Sequence, residues 1–311
     1  MNKPVPRPFL KWAGGKSRML PHILERIPST FGRYFEPFLG GGAVFFELKK
    51  QKRFKKAFLG DANQDLVNTY VTIRDSLDDL IAELSNERYT YNKKSYLSIR
   101  ENSGSSDSII RAAEFIYLNK TCFNGLYRVN KEGKFNVPFG SYKDPVILDQ
   151  DNLRAVSKAL RGVRINHDDF DWILKEPKPG DVVYFDPPYL PISKTSKFTS
   201  YTEGGFGESD HFRLAYTFGK LADKGVTVIL SNSSSEETRK LYSNWEIVEL
   251  VGARNVGGPA EYRKPVREIM VVANAPKNSV VSTVPHGASD SPDTGLRFAV
   301  HAADSETGTG T

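Results

Sequence analysis

The chain has 311 residues, a formal net charge of +6 and a single cysteine, Cys122. One cysteine excludes an intrachain disulfide and a zinc site built from cysteines, and the five histidines show no metal-ligand spacing, so we expect no metal. No apolar run reaches the roughly 20 residues that a membrane span needs, and the N-terminus does not resemble a signal peptide. We therefore expect a cytoplasmic protein whose basic excess suits a polyanionic partner.

The N-terminal part of the chain alternates between strand and helix patterns. A short strand is predicted over 33–38, glycines at 40–42 end it, and a helix begins at Ala43. A second strand covers 56–61, and helical periodicity continues over 63–80. This β-α-β-α order is typical of a parallel sheet covered by helices.

The pattern changes in the middle of the chain. Residues 84–108 are polar, and a helix is predicted over 109–119. Residues 121–142 combine glycine, asparagine and aromatic residues with arginine and lysine, which predicts a loop with a hairpin. We therefore expect 71–149 to be inserted between two segments of the sheet domain, 1–70 and 150–275.

The α/β pattern returns in the third part of the chain. The further predictions are helices over 149–160, 209–223 and 235–242, and strands over 161–165, 181–185, 226–230, 246–250 and 268–273. Residues 276–311 are rich in serine, threonine, glycine, aspartate and proline without apolar periodicity, so we expect this segment to be disordered.

A glycine turn between the first strand and the first helix indicates a ligand site. Gly40-Gly41-Gly42 would let a ligand approach the backbone closely, and Asp61 at the end of the next strand could bind the hydroxyls of a ribose. A plain turn and a helix cap are the alternatives. A dinucleotide fingerprint fails at Phe45, and a phosphate loop fails at Leu10, since each stands where that motif requires glycine. A nucleoside without phosphates remains open, and S-adenosylmethionine is one.

The sequence Asp186-Pro187-Pro188-Tyr189 directly follows a predicted apolar strand. A carboxylate in this place points into the crevice where ligands of parallel sheets bind. The Asp186 carboxylate and the Pro187 carbonyl can accept the two N–H bonds of an aromatic amine, and Tyr189 can stack on its ring. The alternative is a strand end followed by a Pro-Pro turn.

Taken together, these residues resemble the Dam-type DNA N6-adenine methyltransferases (D12 class), including those of restriction-modification systems. The resemblance covers about 1–275. It implies a Rossmann-like, S-adenosylmethionine-dependent α/β methyltransferase fold with an inserted, mainly helical DNA-recognition domain plus a hairpin. It also implies double-stranded DNA as substrate, and we expect a monomer. The matching pieces, in the order of the family, are 9–16, 36–42, Asp61 with Asn63, 124–128, 135–140 and 186–189.

The resemblance implies a pocket for the methyl donor. Trp12 would lie near the methionine part of the donor, and Lys16 near polar groups of the site. The sequence does not choose firmly between Asp168 and Asp169 for the adenine of the donor, and we favour Asp169. The full donor set is Trp12, Lys16, Phe38, Gly40, Gly42, Asp61, Asp169, Phe170 and Asp186.

The resemblance also implies which residues contact DNA. Arg128 suits a guanine edge, and Leu126 and Pro138 suit a thymine methyl. Phe123 would wedge into the base stack, at a position where the family often has tyrosine. The family commonly methylates adenine in GATC, which is the expected site. The full DNA-contacting set is Lys11, Phe123, Asn124, Leu126, Arg128, Pro138 and Tyr142.

Three other functions remain open at this point. RNA or another amino group could be the substrate, although the basic and aromatic insertion favours nucleic acid. Enzymes that methylate cytosine N4 usually have serine at the position of Asp186, so the aspartate favours adenine. A DNA-binding module without activity is disfavoured by the intact tetrapeptide.

Overall fold

The computed structural model describes residues 4–16, 18–190, 206–252 and 266–276. The disorder predicted for 276–311 therefore concerns residues outside the described ones, apart from Pro276. The strands of the described residues are β1 (Phe31–Glu36), β2 (Phe54–Asp61), β3 (Arg164–His167), β4 (Val182–Phe185), β5 (Thr227–Ser233), β6 (Glu246–Gly252) and β7 (Val266–Ala273).

All of these strands belong to one sheet, in the order β3-β2-β1-β4-β5-β7-β6. The pairs among β1 to β5 are parallel, whereas β7 runs antiparallel to both β5 and β6. The strand order reverses at β1, which has β2 on one side and β4 on the other. In open α/β sheets, ligands bind outside the carboxyl ends of the strands at such a point. The predicted Rossmann-like α/β fold is thus confirmed.

Helices pack on both faces of the sheet. They are α1 (Leu20–Arg26), α2 (Ala43–Lys50), α3 (Gln64–Asp75), α4 (Leu77–Leu84), α5 (Lys93–Asn102), α6 (Ser108–Thr121), α7 (Gln150–Leu160), α8 (Glu208–Asp223) and α9 (Glu236–Leu241). Five of them begin at side-chain caps that accept hydrogen bonds from backbone N–H groups of the first turn, namely Asn63, Asn92, Asp107, Asp149 and Ser235. Such caps satisfy N–H groups that have no partner within the helix.

Successive side chains along a strand point to opposite faces of the sheet, and this produces two apolar layers. Tyr34 lies in the core on one face of the sheet, while its neighbour Phe35 lies in the core on the other face, which α8 covers. The first core is continuous with the inserted helices, because Leu80 of α4 and Ile116 of α6 belong to it. The domain boundaries at 70 and 150 stay predictions.

Several element boundaries differ from those predicted. The helix predicted over 63–80 is two helices, because Ser76 has a non-helical backbone (φ −136°, ψ 41°). The strand predicted over 161–165 begins at Arg164, since Gly162 first makes a turn with a φ of +73°. Helix α1 was not predicted from the sequence. The same holds for α5, whose few apolar residues include the buried Tyr96 and Ile99.

The segment 121–142 contains no regular strand. It makes two isolated antiparallel bridges, Cys122 with Phe139 and Val129 with Phe135, so the predicted hairpin is present only in this reduced form. Among the described residues, no helix is both long and apolar enough to cross a membrane.

Candidate functional site

Three carboxylates lie at the carboxyl ends of adjacent parallel strands. Glu36 is the last residue of β1, Asp61 is the last residue of β2, and Asp186 directly follows β4. Because β1 pairs with both β2 and β4, these strand ends meet at one edge of the sheet. The fold therefore brings Asp61 and Asp186 together, as the sequence predicted.

The glycine turn is bonded to the next strand. Gly40 donates its backbone N–H to Asp61 Oδ2 (3.0 Å), and Asn63 donates its own to Asp61 Oδ1 (2.9 Å). Burial raises the pKa of the Asp61 carboxyl above its usual value, while these two bonds oppose the rise. Gly42 has a φ of +68°, and a Cβ there would lie 2.9 Å from the Tyr70 hydroxyl. Only glycine satisfies both constraints.

Trp12 packs directly against this turn. A Cβ added at Gly40, whose φ is +47°, would lie 2.8 Å from Cδ1 of the indole. The indole also stacks on Tyr127 with a centroid distance of 5.8 Å. Trp12 therefore connects the glycine turn with the segment 121–142.

Aromatic rings form one wall beside the turn. Phe38 and Phe170 stack with centroids 5.5 Å apart, and Phe206 meets Phe38 edge-on. Asp169 is exposed and accepts hydrogen bonds from Arg213, whose guanidinium also lies 4.5 Å from the Phe170 ring centroid. Phe38 and Phe170 thus stack on each other beside the turn, and donor contacts of these rings and of Asp169 stay predictions.

The tetrapeptide that begins at Asp186 is held at both ends. It starts at the end of β4, and the residue after it, Leu190, makes two hydrogen bonds with β5. Leu190 donates its N–H to Asn232 Oδ1 (3.2 Å), and Ser233 donates its hydroxyl to the Leu190 carbonyl (2.7 Å). Pro187, Pro188 and Tyr189 therefore lie on a short anchored backbone. No sequence motif pointed to Asn232 or Ser233.

Lys16 makes an ion pair with Asp186. The Lys16 Nζ lies 2.7 Å from Asp186 Oδ1 and 4.9 Å from the ring centroid of Tyr189. Burial raises the pKa of the Asp186 carboxyl above its usual value; Lys16 opposes this rise and Glu268 adds to it. The sequence placed Lys16 in the site but did not predict this contact.

Glu36 is a buried carboxyl to which the sequence assigned no role. It is 2% exposed and accepts a hydrogen bond from the Tyr34 hydroxyl (3.0 Å). Burial and the negative charge of Asp186 raise its pKa well above the usual range. Tyr70 was missed as well, although its hydroxyl donates to the Gly40 carbonyl (3.1 Å). Only its place in the 36–42 motif could have pointed to Glu36.

The segment 121–142 exposes apolar side chains on a well-bonded backbone. Phe123 and Leu126 are 50% and 37% exposed. Asn124 between them has a φ of +55°, and the Phe123 N–H donates to the Pro138 carbonyl (2.8 Å). Exposed apolar residues on such a loop are typical of a contact surface.

Lys11 is distant in sequence from the segment 121–142 but contacts it in the structure. Its Nζ lies 3.7 Å from the ring centroid of Tyr142, whose hydroxyl donates to the Cys122 carbonyl (2.8 Å). A Cβ at Gly125 would clash with the Lys11 Cβ, so the glycine permits this close approach. The structure therefore brings Lys11 and Tyr142 together with the predicted DNA-contacting residues of the loop.

Arg128 is exposed but held in place. Its Nε donates to Asn136 Oδ1 (2.6 Å), and its Nη2 donates to the Asn136 carbonyl (3.0 Å). A guanidinium held in this way keeps further N–H groups for an external acceptor. Within the described part of the chain, no three His, Cys, Asp or Glu side chains are grouped so that they could hold a metal ion.

Comparisons with known proteins agree with this geometry. Residues 12–256 match the family model of the D12 class N6 adenine-specific DNA methyltransferases. The chain is 43% identical to a Type II methyltransferase of Lactococcus lactis, over 87% of this chain and 96% of the relative. It is 42% identical to a Type II methyltransferase of Methanocaldococcus jannaschii (86% and 98% covered) and 35% identical to a DNA adenine methylase of Vibrio cholerae (86% and 95% covered).

Proposed function

Since this chain belongs to the D12 class of N6 adenine-specific DNA methyltransferases, we propose that its target is the adenine of GATC in double-stranded DNA. The family resemblance predicted from the sequence is thereby confirmed, and S-adenosylmethionine is the methyl donor that this family implies. The observation that carries methyl transfer to an amine is the anchored tetrapeptide 186–189 at the point where the strand order reverses. The GATC target is supported by the family resemblance.

The residues of the crevice fit S-adenosylmethionine. Asp61 is the carboxylate for the ribose hydroxyls, and the stacked rings of Phe38 and Phe170 form the wall for the adenine. Trp12, packed on the turn, lies on the side proposed for the methionine part. A crevice bordered by carboxylates suits a sulfonium cation that carries no phosphate. When bound, the donor supplies an electrophilic methyl group.

We assign the catalytic step to Asp186, Pro187 and Tyr189. The N6 amine of adenine is a poor nucleophile because its lone pair is delocalised into the ring. The Asp186 carboxylate and the Pro187 carbonyl would accept its two N–H bonds and stabilise the positive charge that develops as nitrogen attacks the methyl carbon. The carbon–sulfur bond of the donor would break to leave a neutral thioether, and the methylated nitrogen would lose one N–H proton. Tyr189 would stack on the base, with Pro188 maintaining the turn. The base must leave the helix to reach them.

Recognition of the DNA is assigned to the segment 123–142 together with Lys11. Arg128 would read a guanine edge, and Leu126 and Pro138 would contact a thymine methyl. The exposure of Phe123 supports its role as a wedge between bases, next to Asn124. We propose that 71–149 acts as the target-recognition part of a monomeric enzyme whose catalytic part is 1–70 and 150–275.

The test is methyl transfer from labelled S-adenosylmethionine to duplexes that contain GATC or one of its single-base variants. We expect N6-methyladenine in the GATC duplex, little product in the variants, and none with Asp186→Ala. Mass spectrometry of the digested product identifies the modified base. Equal methylation of all duplexes would refute the GATC assignment. Methylation of cytosine or of RNA would refute adenine in double-stranded DNA as the substrate.

A further inference from the structure

Lys16 is among the most buried charged side chains of the described residues. Its exposure is 5%, and its ammonium has two oxygen partners. One is Asp186 Oδ1 at 2.7 Å, and the other is the Gly14 carbonyl at 2.6 Å. Burial of a lysine is costly unless its charge is paired, so the contact with Asp186 accounts for the position of Lys16.

The ammonium resembles an amine substrate in what it contacts. It donates a hydrogen bond to the Asp186 carboxylate and lies 4.9 Å from the ring centroid of Tyr189. An amino group that reacts in this site needs the same acceptor and the same ring beside it. The structure therefore shows one oxygen of the proposed acceptor, Asp186 Oδ1, already paired with an N–H donor of the protein.

We propose that Lys16 is a positioning residue for Asp186: its ammonium takes the place of the target amine in the free enzyme and gives it up when adenine enters. This inference rests on the proposed function. The Gly14 carbonyl gives the ammonium a partner that does not depend on Asp186, and the flexible stem of lysine permits a small displacement. The exchange replaces one N–H donor by another, so Asp186 is never left unpaired.

The surroundings of Asp186 explain why a cation is required there. Glu268 on β7 is an acidic neighbour of this carboxyl. Burial and the charge of Asp186 raise the pKa of Glu36, Tyr34, Tyr184 and Tyr189, which favours the neutral forms of these four groups. Among the described residues, Lys16 is the cation that contacts Asp186. Burial and the charge of Glu268 raise the pKa of Asp186, and Lys16 opposes them. Without Lys16, Asp186 would take up a proton at higher pH and lose its capacity to accept from the amine.

This role differs from donor binding, which the family resemblance implies for Lys16. A donor contact predicts that loss of Lys16 weakens the affinity for S-adenosylmethionine, with a normal rate once the donor is saturating. A positioning role predicts the opposite. Donor affinity would change little, while the rate at saturating donor would fall and depend differently on pH.

The first test uses the donor-free protein and needs no turnover. The carboxyl of Asp186 is followed by carbon-13 NMR as the pH changes, with Asp186→Asn to assign its signal. In Lys16→Met we expect the midpoint to rise by about one pH unit or more, and Lys16→Arg should restore it. Lys16→Gln serves in the same way if Lys16→Met does not fold. An unchanged midpoint in a folded neutral variant would overturn the proposal.

The second test is the single-turnover rate of methyl transfer at saturating donor, measured across the acid range. Lys16→Met should lower the rate and move the acid limb of the profile to higher pH, and Lys16→Arg should leave the limb near its original place. A normal rate and limb with weakened donor binding would overturn the proposal. Failure of the proposed function would show separately, since the wild-type protein would then not methylate DNA while the NMR result stood.

Discussion

The edge of the sheet that carries Asp61 and Asp186 and the segment 121–142 place their side chains by different physical means. At the sheet edge, buried parallel strands end at defined points, so the carboxylates are set by strand register and by bonds from the backbone, as between Gly40 and Asp61. In the segment 121–142, isolated bridges and side-chain bonds hold an irregular backbone, as between Arg128 and Asn136.

This difference matches the different demands of the roles proposed for the two regions. Chemistry on an amine requires acceptors placed within a few tenths of an ångström in a partly dry site, which a buried sheet edge provides. A surface that contacts DNA must present exposed side chains, and Phe123 and Leu126 are exposed. Substitutions at the sheet edge should therefore alter rate, donor affinity or stability. Those in 121–142 should alter the choice of DNA sequence.

The largest effect is expected for Asp186→Ala. Loss of one of two acceptors for the amine should reduce the single-turnover rate by about 100-fold to 1000-fold or more, while circular dichroism and the melting temperature show a folded protein. Asp223→Ala, which removes an exposed carboxylate at the end of α8, is the matched control and should retain normal turnover. Near-normal activity of Asp186→Ala would remove this residue from the catalytic centre.

Gly42→Ala should destabilise the protein more than Gly162→Ala does. Both glycines have a left-handed backbone, with φ of +68° and +73°, but an added Cβ meets Tyr70 and Phe46 at Gly42 and nothing within 4 Å at Gly162. The two variants share the backbone cost, so the difference measures crowding, about 1–3 kcal/mol in the free energy of unfolding. Denaturant titration gives the free energy of unfolding of both variants. Equal losses of stability would show that the turn adjusts to the added Cβ at Gly42.

Asp61→Ala should weaken the binding of S-adenosylmethionine. The change removes the carboxylate proposed for the ribose and leaves the N–H groups of Gly40 and Asn63 without their acceptor. Hydrogen bonds to a charged group contribute about 1.5–3 kcal/mol, and calorimetry should detect a loss of that order. Asn63→Ala, which removes the cap of α3 and a side-chain hydrogen bond with Tyr127 but leaves Asp61 in place, should lower stability and leave the affinity unchanged. Equal affinity of Asp61→Ala and wild type would contradict the assignment.

Arg128→Ala should change specificity while catalysis on a good site persists. If Arg128 reads a guanine edge, discrimination at one position should fall by about 1–3 kcal/mol. A phosphate contact would instead weaken all sequences alike and flatten the salt dependence. The measurement compares GATC with its single-base variants at two salt concentrations. Lys131→Ala, an exposed charge in the same segment, should leave discrimination unchanged; the same result for Arg128→Ala would exclude base reading.

Elements with strong periodicity were predictable from the sequence, and those formed by context were not. Helix α6 and strand β4 differ from their predicted bounds by at most two residues at either end, because each is a well-marked apolar segment. Helix α5 could not be predicted, since its few apolar residues become informative only once Tyr96 and Ile99 pack into the core. The break at Ser76 has no proline or glycine to signal it.

The sequence by itself determined the class of fold, the family, and the positions of the glycine turn and of Asp186. Local patterns carry this information, because a strand, a turn and a helix are each encoded within a few adjacent residues. Only the tertiary structure decided that Lys16 pairs with Asp186, that Trp12 stacks on Tyr127, and that Lys11 joins the segment 121–142. Each of these contacts joins residues more than 100 positions apart, and it depends on packing that no local pattern encodes.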